Sequence, residues 1–307
     1  MAKDASTDPP SDPVTIPARD GYPLGATVHR AEQPSRRAVI INAAIAVPHR
    51  FYRHFAAGLA AAGYTTVTWD YRGIGASAPS QLRGFEAGAR EWFYLDMPAV
   101  VDWAQAELDP GALFLVGHSL GGQAAGLLDN AASVAGMVTL SAQSGHWRLQ
   151  GGEQKLMVLL HTHVTLPLLS RAFGFMPWGM FGAGEDLPRN AAIEWARWCR
   201  HKDYLLGDST LPLERYREFT APVLAYSIDD DTWGTSRSVD AMMRAYPNVE
   251  RRHLEPRAEG LDRIGHVGFF RPQSSALWSQ VVAWFDGLRP LRGDRSSDGD
   301  AGARRSG

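Results

Sequence analysis

Four short, largely apolar runs set the narrowest limit on how this chain can fold. They are AVIINAA (38–44), ALFLVG (112–117), SVAGMVTLS (133–141) and APVLAYSI (221–228). A strand that is apolar at nearly every position has both faces covered. Segments of helical pattern separate the runs: FYRHFAAGLAAAG (51–63), Arg90 to Leu108, and GGQAAGLLDNAA (121–132). Further strands read at YTTVTWD (64–70) and near Glu250 to Leu254, and further helices near Arg237 to Ala245 and Ser274 to Leu288. VTIPARDGYPLGATVHR (14–30) reads as two strands about a turn at Asp20-Gly21. Strands alternating with helices imply an α/β fold: a mostly parallel central sheet flanked by helices, with right-handed crossovers.

The alternation breaks once. Residues 142–220 are longer, less regular and rich in Trp, Met, Pro and Gly. The expected organisation is a core of residues 14–141 and 221–288, interrupted by a helical insertion at 142–220. Residues 1–13 and 289–307 carry charge, proline or glycine with little to bury, and read as disordered tails.

Composition excludes several classes. Apolar residues make up 45% of the 307, enough for a large core, and a net charge of -2 argues against nucleic acid or an anionic membrane as obligate partner. The one cysteine, Cys199, allows no intrachain disulfide and no cysteine-based zinc cluster, which fits a reducing compartment. MAKDASTDPPSDP lacks the apolar centre of a signal peptide. The stretch Val164 to Phe181 is interrupted by Pro167, Arg171, Gly174 and Pro177, and reads as too broken to span a bilayer. The expectation is a cytoplasmic protein.

The chemistry concentrates at LFLVGHSLGGQ (113–123), where an apolar strand runs into a helix pattern through Gly117-His118-Ser119-Leu120-Gly121. A sharp strand-to-helix turn forces a strained backbone on the residue at the bend. Glycines on either side remove Cβ atoms that would clash there. The side chain at the bend stands above the C-terminal edge of the sheet, where α/β folds bind ligands. Ser119 is therefore a candidate nucleophile, and the N–H groups of the helix start can receive an oxyanion.

A serine needs a base. His118 diverges from its neighbour at such a turn and reads as structural. His253 lies inside a strand; His161 and His163 lie in the insertion at a spacing unsuited to a metal. His29, His49, His54, His146 and His201 have no supporting context. His266 sits in the glycine-flanked loop IGHVGFF (264–270), after the last strand and before the final helix, where it can reach the sheet edge. The base needs an orienting carboxylate. Asp229, Asp230 and Asp231 follow APVLAYSI, and a strand end aims only one of the three inward.

Together these residues resemble the α/β-hydrolase superfamily. Ser119, an Asp, then His266 is the superfamily's order, and Tyr71-Arg72-Gly73-Ile74-Gly75-Ala76-Ser77 after Asp70 resembles its D-x-R-G-x-G-x-S turn. The likeness spans about residues 20–288 outside the insertion, and is nearest to the serine aminopeptidase-like and monoglyceride-lipase-like group, whose helical cap enters between the sixth and seventh strands. The resemblance implies an α/β-hydrolase fold with a helical cap. It points to Asp230, three residues after Ser227, as the acid, with Asp231 as the alternative. It implies oxyanion donors at the N–H of Leu120 and, where Asn42-Ala43 replaces the usual His-Gly pair, of Ala44.

The expected activity is serine hydrolysis of an acyl ester, thioester or amide through an acyl-enzyme, with no cofactor or metal. The aromatic insertion, with Trp147, Trp178, Trp195 and Trp198, suits a small apolar acyl or aryl ester, with a medium or long acyl chain preferred. Acyl transfer on the same residues, and ligand binding without turnover, are the competing readings.

Overall fold

The apolar runs lie side by side in one eight-stranded sheet. The computed structural model describes residues 11–32, 35–182 and 184–288. Its strands are β1 (Ser11–Pro17), β2 (Pro23–His29), β3 (Arg37–Asn42), β4 (Tyr64–Trp69), β5 (Ala112–His118), β6 (Val134–Leu140), β7 (Val223–Ile228) and β8 (Val249–Leu254). Their spatial order is β1-β2-β4-β3-β5-β6-β7-β8. β1 and β2 form an antiparallel hairpin, and β2 lies antiparallel to β4. All pairs from β4 to β8 are parallel. Every residue of β5, β6 and β7 is buried, as their largely apolar sequences lead one to expect.

Parallel neighbours need crossovers, and helices supply them. In chain order these are α1 (Arg53–Ala61), α2 (Met97–Leu108), α3 (Leu120–Ala124), α4 (Gln154–Phe173), α5 (Arg189–Arg200), α6 (Ser236–Met243) and α7 (Ser275–Gly287). α4 and α5 belong to the segment between β6 and β7, which are nevertheless adjacent strands.

Three expectations change. The first strand begins at Ser11, inside the stretch read as a tail, and the Asp12 carboxylate pairs with Arg30. Residues 1–10 and 289–307 lie outside the described residues. The helix after Ser119 is five residues long, because a tyrosine hydroxyl enters its ladder. Gly126 N–H donates to Tyr246 Oη at 2.8 Å, and that hydroxyl donates to Gly122 C=O at 2.7 Å, so the two helical partners no longer meet. The third concerns Val164 to Phe181: Gly174, with φ +81°, does end the helix as expected, but Pro167 and Arg171 do not interrupt it, and α4 runs from Gln154 to Phe173. A π-helical turn at His161–Thr165 precedes Pro167, and the Thr162 carbonyl accepts from Arg200 at 2.7 Å instead of from the helix. By length and composition alone α4 is apolar enough to cross a membrane, and 22% of its most apolar stretch is buried here.

The turn after β4 is a structural clamp. The Arg72 guanidinium bonds both Asp96, which is fully buried, and Asp20 in the β1–β2 turn. The Asp70 carboxylate accepts from the N–H groups of His49 and Ala76, and from the His49 ring. The clamp ties the first hairpin to the sheet and leaves the C-terminal edge of β3, β5 and β6 as the open end.

Candidate active site

Ser119 stands at the bend between β5 and α3 with φ 49° and ψ −115°, a conformation rare for any residue but glycine. The neighbouring glycines are what let the bend close. A Cβ on Gly121 would lie 2.2 Å from the Asn42 carbonyl oxygen, and one on Gly117 would lie 2.3 Å from Gly122 Cα. The strand therefore turns hard against the end of β3, and Ser119 is 5% exposed.

His266 and Ser119 line one cavity of about 400 Å³. The acid beside His266 is Asp231, and the expectation of Asp230 is corrected. Asp231 Oδ2 lies 2.8 Å from His266 Nδ1, and Oδ1 accepts from the N–H groups of Trp233 and Gly234 at 2.9 Å each. Burial pushes the Asp231 carboxyl up, but the imidazole beside it and these hydrogen bonds outweigh burial and hold it at about 2. Asp230 turns the other way: its oxygens accept from Ile264 N–H at 3.0 Å and Gly265 N–H at 2.8 Å, so it shapes the loop that carries His266. Asp229 is exposed, 3.6 Å from His253. The physical reason is the tight turn after β7, in which Asp231 N–H donates to Ile228 C=O and swings its own side chain inward.

The two expected oxyanion donors fare differently. Leu120 opens α3, so its N–H has no partner within the helix, and the residue lines the cavity. Ala44 also lines the cavity, but its N–H donates to Tyr52 Oη at 2.9 Å. The Ala44 expectation is corrected to that extent: its N–H is committed to a buried side chain. Tyr52 Oη lies 2.8 Å from His118 Nδ1, and His118 Nε2 lies 2.8 Å from the His266 carbonyl oxygen. A carbonyl only accepts, so His118 carries its proton on Nε2 and receives the Tyr52 O–H at Nδ1. Burial, and after it His266, push His118 down to about 3 and keep it neutral. His118 is thus structural, and it links the end of β3 to the His266 loop.

The sequence did not single out the polar wall of the cavity. Ser119 Oγ donates to Gln143 Oε1 at 3.4 Å; among the described residues no hydrogen bond joins it to His266. Gln123 Nε2 donates to the same Oε1 at 3.5 Å, and Tyr204 Oη donates to Gln123 Oε1 at 2.9 Å. Gln143 lies three residues past β6 in an irregular segment, with no motif to mark it. The remaining lining is mostly apolar and includes Met157, Trp178 and Trp195 from the 142–220 segment, with Trp233 from the core. His161 lines it too, and its burial pushes the imidazole down. Among the described residues no three His, Cys, Asp or Glu side chains group to hold a metal ion.

This arrangement can pull a proton from a hydroxyl, hold the resulting imidazolium against a buried carboxylate and offer an N–H to a developing oxyanion. Known proteins share its framework. A family model described as serine aminopeptidase, S33, matches residues 33–175. No curated protein matches the chain in sequence. Among solved structures, an esterase (EaEST) from Exiguobacterium antarcticum superposes with TM-score 0.58 at 16% identity, covering 89% of this chain and 99% of its own. Est1E from Butyrivibrio proteoclasticus, with ferulic acid bound, gives 0.57 at 17% identity, covering 90% and 98%. The esterase domain of a Rhodothermus marinus protein gives 0.55 at 17%, covering 90% and 97%. At such identities the likeness is one of fold.

Proposed function

We propose that this chain, whose fold is that of the α/β-hydrolases and whose residues 33–175 match the serine aminopeptidase model, is a member of that superfamily and a serine hydrolase of carboxylic esters in which Ser119, His266 and Asp231 act as the triad. The observation that carries this reading is the shared cavity: a serine on a strained bend, and a histidine braced at Nδ1 by a buried carboxylate, open into the same space.

Ser119 Oγ attacks the ester carbonyl as His266 Nε2 takes its proton. For this the hydroxyl leaves Gln143 and turns to His266; such contacts often tighten only in the substrate complex. Asp231 keeps the Nδ1 proton in place and balances the imidazolium. The Leu120 N–H receives the oxyanion, where one such donor contributes on the order of 3 kcal/mol. His266 returns the proton to the leaving alcohol, and water, activated by the same histidine, releases the acid. The apolar lining favours an uncharged ester with an acyl or aryl group large enough to meet the tryptophans. The nearby folds named as esterases support the same activity class.

A fluorophosphonate probe tests the proposal directly. The expected result is labelling at Ser119, lost in Ser119→Ala, together with turnover of aryl esters. A folded protein that neither labels nor turns over any acyl ester of graded chain length would refute it and leave ligand binding as the function.

A further inference from the structure

The cavity carries a hydrogen-bond donor that the fold itself does not use. Gln143 is 5% exposed, and its Oε1 is engaged by both Ser119 and Gln123. Tyr204 Oη donates to Gln123 Oε1 at 2.9 Å, and in this arrangement Gln123 Nε2 faces Gln143 Oε1 at 3.5 Å. Gln143 Nε2 is then left with no acceptor among the described residues, yet it is not sealed from solvent space as the orphaned polar atoms of the core are. A residue this buried that lines the cavity has its remaining exposure through the cavity. Buried N–H groups find acceptors in protein, water or ligand, so an oxygen of a ligand that enters the cavity can supply the one for this group.

Its reach is short. The amide nitrogen lies about 2.3 Å from its own oxygen by covalent geometry, and therefore no more than about 6 Å from Ser119 Oγ. An acceptor meeting it lies within about 9 Å of Ser119 Oγ, a range that takes in atoms two or three bonds from the carbonyl under attack. The cavity is lined by no Asp, Glu, Lys or Arg among the described residues, so a charged acceptor would enter without a counter-ion. Trp178, Trp195 and Trp233 line the same cavity, and their ring faces suit a flat apolar body.

We propose that the site selects neutral aromatic esters bearing an ether or ketone oxygen close to the scissile carbonyl, and that the Gln143 amide is the specificity-determining group that reads this oxygen. The inference rests on the serine-hydrolase reading above and narrows its substrate from plain acyl chains to oxygen-substituted ones. A site built to bond an oxygen rejects the analogue lacking it, because its own donor is then left unpaired.

The test compares two pairs of esters that differ by one ether oxygen against a methylene: phenoxyacetate and hydrocinnamate esters of one nitrophenol, and phenoxyethyl and phenylpropyl acetates. The kcat/KM ratio within each pair is measured in the wild type, Gln143→Met and Gln143→Glu. Intrinsic reactivity cancels when ratios are compared between proteins. In at least one pair the preference for oxygen falls about 10-fold or more in both variants. Ratios unchanged in both pairs would overturn the inference while wild-type turnover left the hydrolase reading intact. Calorimetric binding of the same pairs to Ser119→Ala needs no change at position 143. Tighter binding of an oxygen-bearing ester supports the proposal, and equal binding in both pairs overturns it, even if the wild type shows no turnover.

Discussion

Asp231 Oδ2 lies 2.8 Å from His266 Nδ1, while the carboxylate one residue earlier in the chain bonds the backbone of the loop on which that histidine rides. Two neighbouring acids thus divide the work: one holds the ring, the other holds the loop. The same kind of indirect support recurs beneath the serine, where Tyr52 and His118 bridge the end of β3 to the His266 carbonyl.

This division predicts a separation of effects. Asp231→Asn is expected to lower kcat by roughly 10⁴-fold, because the amide cannot enforce the Nδ1–H tautomer or balance the imidazolium. Asp230→Asn is expected to cost far less in kcat and to lower the unfolding temperature by loosening residues 264 and 265. Steady-state kinetics and thermal unfolding on both variants check this; equal losses of kcat would contradict it.

Ser119→Ala and His266→Ala each remove the same chemical step. Each should lower kcat by about 10⁴-fold or more, and the double variant should lose little beyond either alone. Losses that multiply would mean that the two residues act in separate steps.

Tyr52→Phe leaves the Ala44 N–H and His118 Nδ1 without partners in a fully buried place. Two such orphaned groups cost about 2 to 4 kcal/mol. Urea unfolding of the variant should show a loss of that size, and a loss below about 0.5 kcal/mol would show that the link carries no stability.

Acid should unfold this protein through two of these groups. His118 is held at about 3, against 6.5 unfolded. Between those values the unfolded chain binds the extra proton, so stability is complete above pH 6.5 and is lost as pH falls toward 3. Asp231 is held at about 2, against 3.8 unfolded. Its contribution is present above pH 3.8 and disappears as pH falls through 2. The His118 step dominates the milder range and is worth on the order of a few kcal/mol. Urea midpoints recorded from pH 7 to 4 should fall steadily in the wild type and flatten in His118→Leu. Parallel curves would assign the acid sensitivity elsewhere.

What could be read from residues alone was whatever the chain decides locally. The apolar runs at 38–44, 112–117, 133–141 and 221–228 became strands of one sheet because four to eight consecutive apolar residues bury both faces only there. The bend at Ser119 was legible because Gly117 and Gly121 have no other use so close to each other. Pro167 misled for the opposite reason: its missing hydrogen bond is offset by Arg200, a residue from another helix.

Tertiary packing decided the choices between near-equal neighbours. Asp230 and Asp231 are chemically identical, and only the turn after β7 and the incoming loop 264–265 assign them different partners. Ala44 follows β3 where the resemblance implies an oxyanion donor, but the Tyr52 hydroxyl accepts its N–H. Gln143 belongs to no periodic pattern, and its amide nitrogen is left over because Ser119 and Gln123 both engage its oxygen. Local geometry depends on a few covalently linked residues and is written in their order. Partner choice depends on groups brought together from distant parts of the chain, and only the folded structure states which of them meet.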